Sequence, residues 1–293
     1  MKIDTIALPI VRLALAEDLG SGDVTTRALV SESARARGVI EARAEGVLCG
    51  LEVARTAFHE LDADLVFRTR LRDGARIEPG ATVCQLEGRA RALLSAERVA
   101  LNMLQHMSGI ASLTARFVAA LAGTGVKVRD TRKTLPGLRV LEKYAVLVGG
   151  GQNHRFGLFD MFLIKDNHLP AVGSITGAVR AARRADPELQ IQVEVRNAEE
   201  AAEAVRAGVE QILLDNMDPA HIRDALGAID EAVESLAGPA RKRPWVEVSG
   251  GVTLGNVRER ALAGVDSVSI GAVTHSAPAL DLALTVESIE DFA

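Results

Sequence analysis

The chain has 293 residues, 48% hydrophobic and 25% charged, with a net charge of −5. This is the composition of a globular protein with a sizeable core, and its acidity excludes general nucleic-acid binding, so any basic site must be local. The two cysteines, Cys49 and Cys84, make no disulfide framework and fit a reducing cytoplasm, while no apolar stretch approaches the ~20 residues that cross a bilayer.

The opening residues carry no small-residue cleavage site, so a secretory leader is not expected. Residues 6–19 read as an amphipathic helix ending at Gly20, followed by the turn-rich "GSGDVTT". From about 37 to 88 the pattern has period two, in "GVIEARA", "GVLCG", "LVFRTRL" and "TVCQLEG", with turns at Asp73-Gly74 and Pro79-Gly80 and one helix at "LEVARTAFHEL". This predicts a small α+β unit on an antiparallel sheet. "DGARIEPGATVCQLEG" resembles the hammerhead strands of biotinyl or lipoyl carriers, but the carrier lysine on the hairpin tip is missing.

Ser95 reads as the N-cap of a long helix over 96–121, with Val99, Met103, Met107 and Ile110 along one side and its methionines as core filler. From 126 onward, "VKVRD", "MFLIKD", "QIQVEV", "QILLDN", "WVEVSGG" and "SVSIGA" alternate with helical segments at 174–185, 197–208 and 254–264. Alternation of this kind predicts about six parallel strands with crossover helices, an incomplete (β/α) barrel with an open doubly wound sheet as the alternative. The predicted domains are 1–110, an N-terminal α+β sandwich carrying the linking helix, and 111–293, the α/β barrel, with terminal helices packing across that boundary. In "PGLRVLEKYAVLVGGG", Pro136 suits the first turn of a helix whose Arg139 and Lys143 share a solvated face.

Each strand of the second half finishes on a charged residue or glycine. These are Arg129 and Asp130; Lys165, Asp166 and Asn167; Glu194; Asp215 and Asn216; Ser249, Gly250 and Gly251; and Gly271. The carboxyl edge of a parallel sheet is where ligands bind, because strand ends and loops converge there. Arg132, Lys133, His154, Arg155 and Lys165 are cationic or can become so, and such a group serves carboxylates and phosphates. Glu194 and Asp215 could balance that charge or hold Mg²⁺ together with substrate phosphates. Glycines in "SGG" and "IGA" let backbone N–H groups approach phosphate. No Ser-His-Asp or Cys-His arrangement is visible, and spacing gives His59, His106 and His221 no acid partner. A Schiff-base role for Lys165 stays open.

"EDLGSGDVTT", "LLSAERVALNMLQHMSGIAS", "RDTRKTLPGLRVLEKYAVLVGGGQNHRFGLFD", "LIKDNH", "VEV", "ILLDN", "SGG" and "IGAVTHS" together resemble the quinolinate phosphoribosyltransferase family, in order from about 17 to 284. The resemblance implies the type II phosphoribosyltransferase fold. It further implies a reaction of quinolinate with phosphoribosyl pyrophosphate and Mg²⁺ to give nicotinate mononucleotide, pyrophosphate and CO₂. It implies a homodimer in which Arg98 of "AERVALN" completes the partner's site. Arg132, His154, Arg155, Lys165 and that arginine would hold the two carboxylates, with Lys133 in the same cationic site. Glu194 and Asp215 would meet ribose hydroxyls and metal, and Ser249, Gly250, Gly251 and Gly271 would cradle phosphate. Lys133, Lys165, Glu194 and Asp215 would form the catalytic set. Two residues depart from the family pattern: Leu147 replaces a cation, and Arg196 would fall on Glu194's side of the strand and crowd or pair with it. The alternatives are a related phosphoribosyltransferase for another anionic aromatic, such as the molybdate-transport-associated paralogue, and a non-catalytic ligand-binding scaffold.

Overall fold

The computed structural model describes residues 3–236 and 242–290. Helices α1 (Ile3–Leu19) and α2 (Val24–Leu29) precede strands β1 (Arg35–Ala42) and β2 (Gly46–Val47). Helix α3 (Leu51–Leu61) leads to β3 (Val66–Arg68), β4 (Arg76–Ile77), β5 (Thr82–Arg89) and the long α4 (Ala90–Ala120). Then come β6 (Lys127–Arg129), α5 (Arg139–Val148), β7 (Phe162–Ile164), α6 (Ile175–Ala185), β8 (Ile191–Val195), α7 (Ala198–Ala207), β9 (Gln211–Asp215) and α8 (Pro219–Ser235). β10 (Trp245–Ser249), α9 (Val257–Arg260), β11 (Ser267–Ser269), α10 (Ala272–His275) and β12 (Leu282–Glu290) complete the order.

Two compact units result, and they are discontinuous in the chain. The first takes the chain up to Ala115, Thr134–Gly150 and everything from Val273 on; the second takes Arg116–Lys133 and Gly151–Ala272. A single cut at 110/111 therefore follows chain order rather than these units. Two contacts explain why: β12 pairs antiparallel with β1, and Tyr144 of α5 donates its hydroxyl to Asp73 at 2.9 Å.

In the first unit an antiparallel sheet runs β12-β1-β5-β3. Alternation along β1 turns Ala36, Gly38, Ile40 and Ala42 to one face, the period-two pattern read from the sequence. Asp73, in the predicted Asp-Gly turn, accepts the Gly50 and Leu51 N–H groups at 3.0 and 3.1 Å and so satisfies the start of α3.

Several local expectations fail here, each for a physical reason. Ser95 is no cap: α4 begins at Ala90, straight from β5, and the Ser95 hydroxyl donates to Asp23 Oδ2 at 3.0 Å. Pro136 lies in a turn before α5, which starts at Arg139. Lys143 is not solvated but 2% exposed, beside the fully buried Glu142. His106 does have an acid partner, Glu142 Oε1 at 2.9 Å, supplied by a helix 36 residues away, and so does His221, whose Nδ1 lies 2.9 Å from the Oδ2 of the N-cap Asp218. The expected C-terminal helix is the strand β12, because "LALTVESIE" alternates in register with β1 and completes a sheet edge.

The second unit is a six-stranded parallel sheet in the order β6-β11-β10-β9-β8-β7. From β7 to β11 each strand lies beside its successor, and β6 lies beside the last. The winding never reverses, as in a barrel, which rules out the doubly wound alternative. Val193 and Val195, Ile212 and Leu214, and Val246 and Val248 bury one face of three neighbouring strands. The alternate face carries Gln192 and Glu194, Leu213 and Asp215, and Glu247 and Ser249. Between β10 and β11 only Val257–Arg260 is helical, shorter than the 254–264 expected.

Candidate active site

Strand register brings the carboxyl-edge residues together. Ser249 lies beside Asp215 across β10 and β9, and Ile164 beside Val193, so Lys165 and Glu194 follow side by side. The Lys165 ammonium donates to Glu194 Oε2. That ion pair and 43% side-chain exposure are the reverse of the desolvated setting a Schiff-base lysine needs. Asp215 Oδ2 accepts the Asn216 amide at 2.7 Å, and Asn216 holds a positive φ of 53°.

Gly250 is demanded sterically. Its φ is +90°, and a Cβ there would meet Asn216 Oδ1 at 2.1 Å. Arg260, which the sequence does not single out, donates to the Gly250 and Met217 carbonyls at 3.1 Å each and ties two edge loops together. Gly251 is also left-handed, at φ +59°, whereas α10 begins directly after Gly271.

The "RDTRKT" cations separate into two groups. Arg129 turns into the interior, where its Nη1 pairs with Glu247 Oε2 at 2.7 Å. Arg132 faces Arg155: burial first, and then the like charge of Arg132, pulls the Arg155 guanidinium below its usual range. Arg155 Nη1 donates to the Met161 carbonyl at 3.1 Å, while its Nε is buried without a hydrogen-bond partner. Asp160 offsets part of this repulsion, and two adjacent, partly desolvated guanidiniums still favour the approach of a further anion. Lys133 is exposed, and its N–H donates to Thr131 Oγ1 at 3.0 Å. Asp160 organises the loop after Arg155 by accepting the Phe156 and Gly157 N–H groups.

His154 is placed differently from the arginines. Its ring is buried, with Nε2 2.8 Å from Gln192 Oε1 and Nδ1 accepting the Arg155 N–H at 2.7 Å. Arg196 makes its direct ion pair with Glu200, and Glu194 acts on it only as the weakest of the attractions that raise its guanidinium above the usual range. It lies beyond the end of β8 and pairs with Glu200 at 3.0 Å, four residues on in the first turn of α7. Arg98 belongs to the other unit, on α4, where its guanidinium is 59% exposed and 3.6 Å from Glu97.

Glu194 and Asp215 offer hard oxygen donors on adjacent strands, and no group of three or more His, Cys, Asp or Glu side chains gathers as a metal cluster among the described residues. Such a set fits Mg²⁺, which keeps several waters and takes one or two carboxylates alongside substrate phosphates. It does not fit a fully protein-ligated ion.

Known proteins resemble the chain in sequence and in fold. Residues 23–108 match the quinolinate phosphoribosyl transferase N-terminal domain, and residues 110–285 the C-terminal domain. The chain is 44% identical over 277 residues to nicotinate-nucleotide pyrophosphorylase [carboxylating] of Mycobacterium leprae, covering 94% of this chain and 95% of that protein. It is 39% identical to the probable enzyme of that name from Bacillus subtilis, covering 94% and 93%. Among solved structures, NadC from Streptococcus pyogenes superposes with a TM-score of 0.89 at 41% identity, covering 98% of this chain and 99% of that one. Matched by both domain families over residues 23–108 and 110–285, the chain belongs to the quinolinate phosphoribosyltransferase family.

Proposed function

We propose that the protein transfers the phosphoribosyl group of phosphoribosyl pyrophosphate to quinolinate with loss of CO₂, giving nicotinate mononucleotide and pyrophosphate in NAD biosynthesis. Beside family membership, the observation that carries this assignment is the Arg132–Arg155 pair, two like charges brought together on a sheet edge and partly desolvated. A dicarboxylate answers that arrangement and a neutral aromatic does not.

In this mechanism Arg132 and Arg155 bind the carboxylates, Lys165 leaves Glu194 to meet the substrate, and Lys133 adds charge at the exposed rim. Glu194 and Asp215 receive the ribose hydroxyls, and the Ser249–Gly250–Gly251 turn and Gly271 receive phosphate. The pyridine nitrogen attacks the ribose carbon as pyrophosphate departs, so no protein nucleophile is required. The residues orient the reactants and stabilise developing charge. The 2-carboxyl then leaves as CO₂, its electron pair stabilised by the adjacent ring cation, and that carbon takes a proton from water. Glu194 and Asp215 would hold Mg²⁺, which when bound neutralises diphosphate charge. The protein works as a homodimer in the cytoplasm, with Arg98 completing the partner's site; the exposure of Arg98 and two buried free thiols support these assignments.

Purified protein supplied with quinolinate, phosphoribosyl pyrophosphate and Mg²⁺ is expected to form nicotinate mononucleotide and CO₂ in equal amounts. Turnover of nicotinate with none of quinolinate would overturn the assignment. Mixed and exchanged Arg98→Ala and Lys165→Ala subunits should regain part of the activity through hybrid dimers; mixtures that stay inactive contradict the shared site.

A further inference from the structure

One layer below the carboxyl edge, the six-stranded sheet buries a charged network. Period two sets Gln192 two residues before Glu194 and Glu247 two before Ser249, while register sets Arg129 opposite Ser269. Glu247 and Gln192 are 0% exposed. Glu247 Oε2 accepts from Arg129 Nη1 at 2.7 Å and Gln192 Nε2 at 3.3 Å; its Oε1 accepts from the Ser269 hydroxyl and lies 3.5 Å from His154 Nε2. Burying such a set is often no more stabilising than an apolar layer of the same volume, so its worth lies elsewhere.

The network ends on His154, and simple donor-acceptor logic fixes that ring. A carboxylate only accepts, so the Gln192 atom facing Glu247 is its NH₂, and the atom facing His154 is its carbonyl oxygen. His154 Nε2 must therefore carry the proton. On the other side a backbone N–H only donates, so Nδ1, which meets the Arg155 N–H at 2.7 Å, carries none. Both constraints select one neutral tautomer. The His154 main-chain N–H is itself held by Asp130 Oδ1 at 2.8 Å.

We propose that Glu247 is a positioning residue for the transfer reaction: through Gln192 it locks His154 as the neutral Nε2–H tautomer, and that ring, through Nδ1, fixes the amide and hence the aim of Arg155. His154 then supplies geometry rather than positive charge. Glu247 of β10 lies 3.5 Å from the ring, Asp130 at the end of β6 accepts the His154 main-chain N–H, and Arg155 reaches the ring through its backbone N–H, with Arg129 linked through Glu247. The kinetic part rests on the quinolinate assignment; the tautomer does not.

Nitrogen-15 NMR of the histidine rings in the full-length protein, with the signal identified by its loss in His154→Gln, tests this. His154 should show one protonated and one bare nitrogen, the protonated one being Nε2, unchanged between about pH 5 and 8. Glu247→Gln should let the ring exchange tautomers or titrate. It should also raise KM for quinolinate about tenfold or more while kcat and KM for phosphoribosyl pyrophosphate change less. If Glu247→Gln does not fold, Gln192→Leu takes its place, and the wild-type spectrum decides the tautomer alone. A doubly protonated ring in the wild type, or a folded variant with tautomer and quinolinate KM both unchanged, would overturn the proposal. Absence of quinolinate turnover with the expected spectrum would instead count against the function assignment.

Discussion

The interior layer and the carboxyl edge of the same sheet use the same chemistry to opposite ends. In the interior, Arg129, Glu247, Gln192 and Ser269 satisfy one another within hydrogen-bonding distance. At the edge, Arg155 keeps a buried Nε without a partner and faces the like charge of Arg132. The edge is satisfied less completely: Lys165 pairs with Glu194 and Asp160 attracts Arg155, yet the like charges of Arg132 and Arg155 stay adjacent. Under the proposed function, the closed layer holds shape and the edge receives the anionic substrate.

Breaking the closed layer should have the largest effect. Glu247→Ala leaves the Arg129 charge buried without its carboxylate, and a loss of about 3–5 kcal/mol of stability is expected in urea unfolding. A loss below about 1 kcal/mol would show that the layer relaxes or admits water. Breaking the open layer should separate stability from affinity. Arg155→Ala relieves a like-charge contact, so its unfolding free energy should change by about 1 kcal/mol or less, whereas quinolinate affinity should fall by about 1.5–3 kcal/mol in calorimetry. Parallel losses of both would mean that Arg155 is structural.

Smaller effects sharpen the boundary between the layers. Against burial, which would raise it, the Phe156 and Gly157 N–H groups and Arg155 hold the Asp160 carboxyl below the usual carboxylate range. A group depressed on folding contributes its stability above the unfolded value, near ~3.9, and loses it as pH falls through the lower folded value. Amide exchange of Phe156 and Gly157, corrected for the intrinsic rate, should thus be protected evenly from about pH 7 to 5 and lose protection only in stronger acid. Protection that already fades near neutrality would contradict this. Arg196→Ala should leave the melting temperature and quinolinate KM essentially unchanged, since Arg196 pairs with Glu200 on the surface.

Much of the edge was legible in the amino-acid order, because apolar runs that stop at Lys165, Glu194, Asp215 and Ser249 announce buried strands and a polar rim. The interior layer was not. Glu247 in "WVEVS" and Gln192 in "QIQVEV" look like ordinary strand alternation until closure of the sheet turns them toward each other. A second polar row two residues before the rim, on the same face, was the available signal. The buried surroundings of His154 were hidden for the same reason, since its partners come from strands 38 and 93 residues away. The β12 strand and the burial of Lys143 likewise depend on neighbours that local pattern does not name.

The proposed function turns on two adjacent guanidiniums, Arg132 and Arg155, as the receivers of a dianion. Calorimetric titration of quinolinate into Arg132→Ala, beside the wild type at the same ionic strength, tests this most directly. The expected result is binding weakened by about 1.5–3 kcal/mol with the melting temperature preserved; unchanged affinity in a folded variant would contradict it.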